Sequence, residues 1–451
     1  MDTTLNKKLS SNTWAMSNKL HFDYLVQTLR NVAGSLPDQR TGNNTKYTME
    51  DITLSAFSVF FTQSPSFLDF QNSMRELAGK DNAQSFFKIE QIPTDNHIRT
   101  HLDHIEPSSF FPVYERIFDV LKETNIIDSY RSFKDNLLIP LDGTWYHASK
   151  KIHCDKCLHI NHKDGGTTYY HSAITPVIVT PGNGKVIALP PEFITPQDGH
   201  SKQDCENAAA KRWIAAYATE YAPLGVTILG DDLYCKHPIC LDLLKAGYSF
   251  ILTCKPDSHK TLYKYLDGFE PNKDIFTRTH KKWTGKCHEF HTYRWANDLP
   301  LRDSDDSLRV NWCELTIKDS SDKIIFKNSY ATNFKVTEKN VDKIVADGRA
   351  RFKVENENNN ILKTKGYNLE HNFGHGDDNL SMVFMTLNIL AFLFHTVLEY
   401  CDDNYRLLRK KLRARKRFFN DIRALTQYFY FKDWDYMLSF MLEGLERRHP
   451  V

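Results

Sequence analysis

The sequence predicts an α/β protein: a mixed-sheet core, interrupted by a β-rich insertion and flanked by helical N- and C-terminal regions. Three observations carry that reading. Apolar runs between Asp135 and Lys255 alternate with two helical stretches in the order β-β-β-α-β-α-β. Residues 256–334 hold short alternating runs such as HEFHTYRW, VNWCELTI and KIIFKNSYATNF. On either side of these segments, apolar residues recur at helical spacing. A chain of 451 residues is long enough for two or three domains at roughly 100–200 residues each. The division we expect is 1–134, helical; 135–255 with 335–400, the core; 256–334, the insertion; and 401–451, helical and basic.

Composition narrows the classes. Hydrophobic residues are 41%, charged residues 25% and aromatics 13%, which excludes disordered, collagen-like and disulfide-scaffold chains. Lys+Arg number 58 against Asp+Glu 56, so there is no global field and any polyanion partner must be argued from local clusters. Nine cysteines, an odd number, without an apolar leader after Met1, point to a reducing cytoplasm.

In chain order, a polar arm with a Gly/Asn/Thr patch at Thr41–Thr45 precedes a helix from Met49 to Thr62. In PTDNHIRTHLDH, Thr94 is an N-cap and Asp95 lies in the first turn; the helix either contacts DNA or packs in an all-α region. NLLIPLDGTWY reads as a buried strand ending at Asp142. TTYYHSAITPVIVT and GKVIALPPEFI follow, set off by turns at Gly165-Gly166 and Gly182-Asn183-Gly184. Ser201–Tyr221 is Ala-rich and helical; GVTILGDD is a strand, KHPICLDLLKAG a helix closed by Gly247, and YSFILTCK a strand. After the insertion, GRARFKVENENNNILK is helical. Met382–Leu398 is about as long as the shortest bilayer spans, but Thr386, Asn388 and His395 mark it as a buried core helix. A basic helix runs from Tyr405 to Ala424.

Candidate chemistry sits at the strand ends. Asp142 and Asp231 each follow an apolar strand, where α/β sheets place ligand sites. Two facing carboxylates call for a cation, and Mg²⁺ prefers carboxylate oxygen; the alternative is that each caps a turn. Arg351, Glu355, Asn359 and Lys363 are spaced by four and share one helical face, as a third acid with phosphate-contacting Arg351 and Lys363 or as an exposed ion-pair ladder. Glu357 competes with Glu355, and Asp232 with Asp231. HCDKCLHINH offers Cys154 and Cys157 at zinc-ligand spacing, with His162 and Cys205 completing a candidate structural Zn²⁺ site and His159 and His171 in reserve. Eight of the twelve residues Arg406–Arg417 are basic, and Arg409, Lys410, Arg413, Arg415, Lys416 and Arg417 are candidate DNA contacts on an amphipathic helix. There is no G-x4-G-K-[ST] phosphate loop and no H-E-x-x-H.

These residues resemble the DDE transposases of bacterial insertion sequences, in the branch with a Tyr-x2-Arg-x3-Glu-x6-Lys signature. Arg351-x3-Glu355 matches it, and LDGT, GDDLY, Asn356 and GYNLEH are also similar to the family. Gly348 stands at the signature's Tyr position, the Lys falls one residue late at Lys363, and Asp232 stands where many relatives have Arg. The resemblance spans roughly residues 135–400. It implies a ribonuclease H-like core in which Asp142, Asp231 and Glu355 hold two Mg²⁺ ions. It further implies metal-dependent cleavage and strand transfer on double-stranded DNA, with element ends and target bound by a homodimer, for DNA transposition and recombination. The competing readings are a metal-dependent nuclease that cuts without joining, and a transposase-derived DNA-binding protein without catalysis.

Overall fold

Runs without polar alternation form the centre of the sheet. In the computed structural model the described residues are 20–41, 45–74, 81–196, 205–269, 271 and 273–446. Most of the polar arm, the heart of the Thr41–Thr45 patch and the start of the Ser201 helix lie outside them.

Six helices come first: α1 (Phe22–Ala33), α2 (Met49–Phe61), α3 (Phe67–Met74), α4 (Asn82–Phe87), α5 (Asp95–Asp103) and α6 (Phe111–Glu123). Thr48 caps α2 through the Asp51 N–H, and Thr94 caps α5 through the His97 N–H, as the sequence predicts. Then come β1 (Leu137–Pro140), β2 (Gly143–Ser149), β3 (Leu158–Asn161), β4 (Thr167–Ile174), β5 (Val177–Ile178), β6 (Ile187–Ala188) and β7 (Glu192–Ile194). They are followed by α7 (Glu206–Tyr221), β8 (Val226–Gly230), α8 (His237–Lys245) and β9 (Ser249–Thr253).

β1 pairs in parallel with β8, and β8 with β9. Parallel strands are covered on both faces, which is why LLIP and VTILG are buried at every position. On the other side of β1, Leu138 bridges Val179 antiparallel, and β5 pairs antiparallel with β6. β2, β4, β3 and β7 make a separate small antiparallel sheet.

The 256–334 segment opens with α9 (Lys260–Asp267) and continues as β10 (Phe276–Trp283), β11 (His288–Pro300), β12 (Arg309–Lys318) and β13 (Ile324–Thr332). β13 pairs antiparallel with β9, so these strands extend the main sheet into one of seven strands. The edge strand β10 is largely exposed and carries Lys281 and Lys282, charges that discourage pairing with another chain.

After the sheet come α10 (Val341–Arg349), a π-helical turn (Val354–Asn359) and α11 (Asn360–Thr364), then α12 (Leu380–Cys401), α13 (Asp403–Leu412), α14 (Arg415–Tyr428) and α15 (Trp434–Glu446). α12 is long and apolar enough to cross a membrane, yet 94% of its apolar window is buried inside the protein. It is apolar all round because other elements cover it all round. The helices at the two chain ends share one core: Phe22 stacks on Trp434 at 4.6 Å, and the Asn82 amide donates to the Thr426 and Phe429 carbonyls. The single basic helix expected over Tyr405–Ala424 is broken at Arg413, whose φ of 49° cannot continue an α-helix.

Candidate active site and metal cluster

Asp142 follows β1 and Asp231 follows β8, so adjacent parallel strands deliver both to the same end of the sheet. Burial raises the Asp142 carboxyl to about 7; Arg351 opposes the rise, while Glu206, Asp231 and Glu355 add to it by repulsion. The Arg351 guanidinium lies 3.9 Å from Asp142 Oδ2, at the outer limit of an ion pair. Asp231 accepts the Leu233 N–H at 2.8 Å, an Asx turn just after β8. The adjacent Asp232 turns the other way: it accepts the Lys255 N–H at 2.7 Å and lies 3.2 Å from His259 Nε2.

Glu206 was not among the expected site residues. From the first turn of α7, where a carboxylate complements the helix dipole, its Oε1 accepts the Gly143 N–H at 3.1 Å and the Tyr234 hydroxyl at 2.6 Å. It thereby joins the chain after Asp142 to the chain after Asp231. A Cβ on Gly143 would sit 2.5 Å from Glu206 Oε2, so a glycine after Asp142 is needed for this approach.

The four-residue stripe is corrected. Arg351 precedes the helix, and Glu355 lies exposed on the π turn, where the i→i+5 pattern breaks the α-helical period. ENENNN contains mostly weak helix formers, consistent with this widening. Asn359 points into the core and accepts the Thr175 hydroxyl at 2.7 Å, while Lys363 pairs with Glu370 at 2.9 Å. Arg351 and Glu355 thus remain in the field of Asp142, whereas Asn359 and Lys363 are engaged elsewhere; Glu357 is half-buried. At Gly348, an added Cβ would meet the Tyr330 ring at 2.7 Å. A tyrosine from β13 therefore occupies space beside the position where the signature carries one.

The zinc ligands are also corrected. Cys154 and Cys157 converge with His171 and His375, not with His162 and Cys205. His162 is exposed at the β3–β4 turn and bonds Thr168 at 2.8 Å; Cys205 is exposed at the start of α7. The two Nε2 atoms lie 3.1 Å apart, and the Sγ–Nε2 separations are 3.4 Å (Cys157–His171), 3.4 Å (Cys157–His375) and 3.6 Å (Cys154–His171). With Zn–N of about 2.0–2.1 Å and Zn–S of about 2.3 Å, a tetrahedron has N–N edges of about 3.3 Å and S–N edges of about 3.6 Å. His375 Nδ1 faces the Gly376 carbonyl at 2.7 Å, which leaves Nε2 as the ligand atom. The neighbouring Cys157 thiol, against burial and aided by His171, holds the Cys154 thiol well below its usual range, toward the ligating thiolate.

His375 comes from the loop before α12, and that loop is clamped by α5. The Asp103 carboxylate accepts the N–H groups of Asp377, Asp378, Asn379 and Leu380 at 2.9–3.1 Å. Against burial, these four bonds keep Asp103 below the usual carboxylate range. Nothing local in the sequence links GHGDD to HCDKC, so His375 was unforeseen; its flanking glycines were the available sign of a shaped loop.

Two of the expected DNA contacts turn inward. Arg415 donates to the Tyr367 hydroxyl at 3.0 Å and lies 3.6 Å from Glu399, and Arg409 lies 3.5 Å from the same carboxylate. Both pin the C-terminal helices to α12. Lys410, Arg413, Lys416 and Arg417 are exposed around the α13–α14 break. On α5, Ile98 and Leu102 are buried, and Asn96, His97 and Thr100 face outward.

Comparison with known protein families and with characterised proteins gives no match. The chemistry therefore rests on these residues.

Proposed function

We propose that this protein is a DNA transposase that binds the ends of its element and carries out cleavage and strand transfer. One observation carries the reading: Asp142 and Asp231 leave adjacent parallel strands, and their charges meet that of Glu355 around Asp142. The parallel order β1-β8-β9, with the separate β5–β6 pair bridged antiparallel to the other side of β1 at Leu138–Val179, supports a ribonuclease H-like core.

The donor set fits a hard divalent cation. Its ligands are carboxylate oxygens, and their crowding in a half-enclosed crevice is the kind of repulsion Mg²⁺ relieves. Asp142, Asp231 and Glu355 would hold the ions, which when bound supply charge neutralisation at the phosphodiester and activation of a water or 3′-hydroxyl. Arg351 is placed to orient a phosphate oxygen beside Asp142, and Glu206 fixes the two acid-bearing loops relative to each other. Lys410, Arg413, Lys416 and Arg417 offer charge to the DNA backbone, with the outer face of α5 as the candidate groove-reading element. In the same reading, Cys154, Cys157, His171 and His375 hold a structural Zn²⁺ that ties the β2–β4 sheet to the loop before α12, and a dimer brings two DNA ends together.

The test uses DNA carrying the gene's own flanking ends, with Mg²⁺, for wild type beside Asp142→Ala. Joined products from the wild type, lost in the variant, are expected. Cutting without joining would favour a nuclease, and binding without cutting by either protein would favour a non-catalytic DNA-binding protein.

A further inference from the structure

A second set of metal-ligating side chains lies behind Asp231. Cys235 follows β8 by five residues, Cys254 is the first residue after β9, and His259 caps α9. All three are buried, and their ligand atoms lie within 4.8 Å of one another. The carboxylate beside His259 is Asp232, whose Oδ1 is 3.2 Å from His259 Nε2.

That distance is one a carboxylate and an imidazole keep when they pair. His259 Nε2 is shielded from solvent, and its approach to Asp232 is poorly aligned for a hydrogen bond. A buried ring nitrogen left in that state is costly unless something else takes its lone pair. The Lys255 N–H holds the Asp232 carboxylate in place beside His259, as a carboxylate is held next to a metal-ligating imidazole.

We infer that Cys235, Cys254 and His259 form a second metal site, with two thiolates and one imidazole as its protein ligands and the Asp232 carboxylate beside the imidazole. The thiolates select Zn²⁺ over Mg²⁺ or Ca²⁺. The site joins the chain just after Asp231 to the end of β9 and the start of α9. It also gives the two adjacent acids separate tasks, Asp231 at the crevice and Asp232 beside His259. Its ligands are distinct from the Cys154 cluster, and it does not depend on the transposase reading.

The test is metal stoichiometry on the full chain. Protein stripped under reducing conditions, reloaded with Zn²⁺ and desalted should retain two equivalents. Cys254→Ser and Cys157→Ser should each retain one, and the double variant none. Should Cys254→Ser fail to fold, Co²⁺ titration of the stripped wild type decides: tetrahedral ligand-field and thiolate charge-transfer bands should grow to two equivalents. Retention of a single equivalent that Cys157→Ser removes, or Co²⁺ bands saturating at one, would overturn the second site.

Discussion

The acid crevice and the Cys154 cluster lie at two points of one small sheet and are built in opposite ways. Asp142 directly precedes β2, where Gly143 pairs with Ile174; four residues on, His147 pairs with His171 of the cluster. The separation along the strand is about 13 Å at roughly 3.3 Å per residue. At the crevice, carboxylates repel one another, Glu355 is exposed, and the acids are not among the groups whose ligand atoms fall within 4.8 Å. At the cluster, four ligand atoms close round a point and three of the four residues are buried. An open anionic site can exchange ions and admit a phosphodiester, while a closed thiolate-imidazole site fixes chain segments. The difference teaches that β2 is held at one end so that its other end can stay charged and accessible.

The strongest way to break this contrast is to exchange the effects of the two sites. Asp142→Ala should lower Mg²⁺-dependent DNA cleavage by at least about a thousandfold, the scale of losing a ligand that stabilises transition-state charge. Its zinc content should be unchanged, which metal analysis checks. Cys157→Ser should do the reverse: zinc is lost from the cluster and the melting temperature falls on the order of 5–10 °C, because structural zinc contributes folding free energy directly. A cluster variant that melts like wild type but cannot cleave would collapse the distinction.

The C-terminal arginines sharpen it next. Arg415→Ala should destabilise the fold by at most about 3–5 kcal/mol in denaturant titration, since a buried guanidinium shared by Glu399 and the Tyr367 hydroxyl is lost while Arg409 and His395 remain beside them. Alanine at Lys410, Arg413, Lys416 or Arg417 should leave stability unchanged. Each should reduce the salt slope of DNA binding by up to about one, read from affinity against salt concentration.

The smallest effect is a pH dependence. In chelator-treated protein, Asp142 has a folded value of about 7 against 3.8 for the ordinary carboxyl. Between those values the folded state binds more protons than the unfolded state, so stability falls as pH rises. Above about pH 7 the carboxylate is ionised in both states and its full cost is present. Asp142→Asn should therefore melt higher than wild type at pH 8, with the gap closing toward pH 4. A gap that widened toward acid would reverse the assigned sign.

Much of the sheet was legible because its signals are local. LLIP, VTILG and SFILT are too apolar to be half-exposed, and Asp142 and Asp231 follow directly from where such strands end. That the 256–334 strands would continue the same sheet depended on β13 returning to β9, a pairing with no sequence signature. The Cys154 cluster was half legible: the two-residue cysteine spacing is local, but His375 arrives from a distant loop held by Asp103. Glu206 was hidden for the same reason, as its role exists only once α7 lies between two strand ends. In the basic stretch, composition could not separate arginines that face water from Arg409 and Arg415, which Glu399 draws inward.

The most direct measurement of the central claim is metal rescue at Asp142. Asp142→Cys replaces a hard oxygen ligand with a softer sulfur, which Mn²⁺ accommodates better than Mg²⁺. DNA carrying the gene's flanking ends should not be cleaved by this variant in Mg²⁺ and should be cleaved again, in part, in Mn²⁺, while Asp142→Ala stays inactive in both. Cleavage by Asp142→Cys in Mg²⁺ at the wild-type rate would contradict a metal-holding role for Asp142 and the chemistry proposed around it.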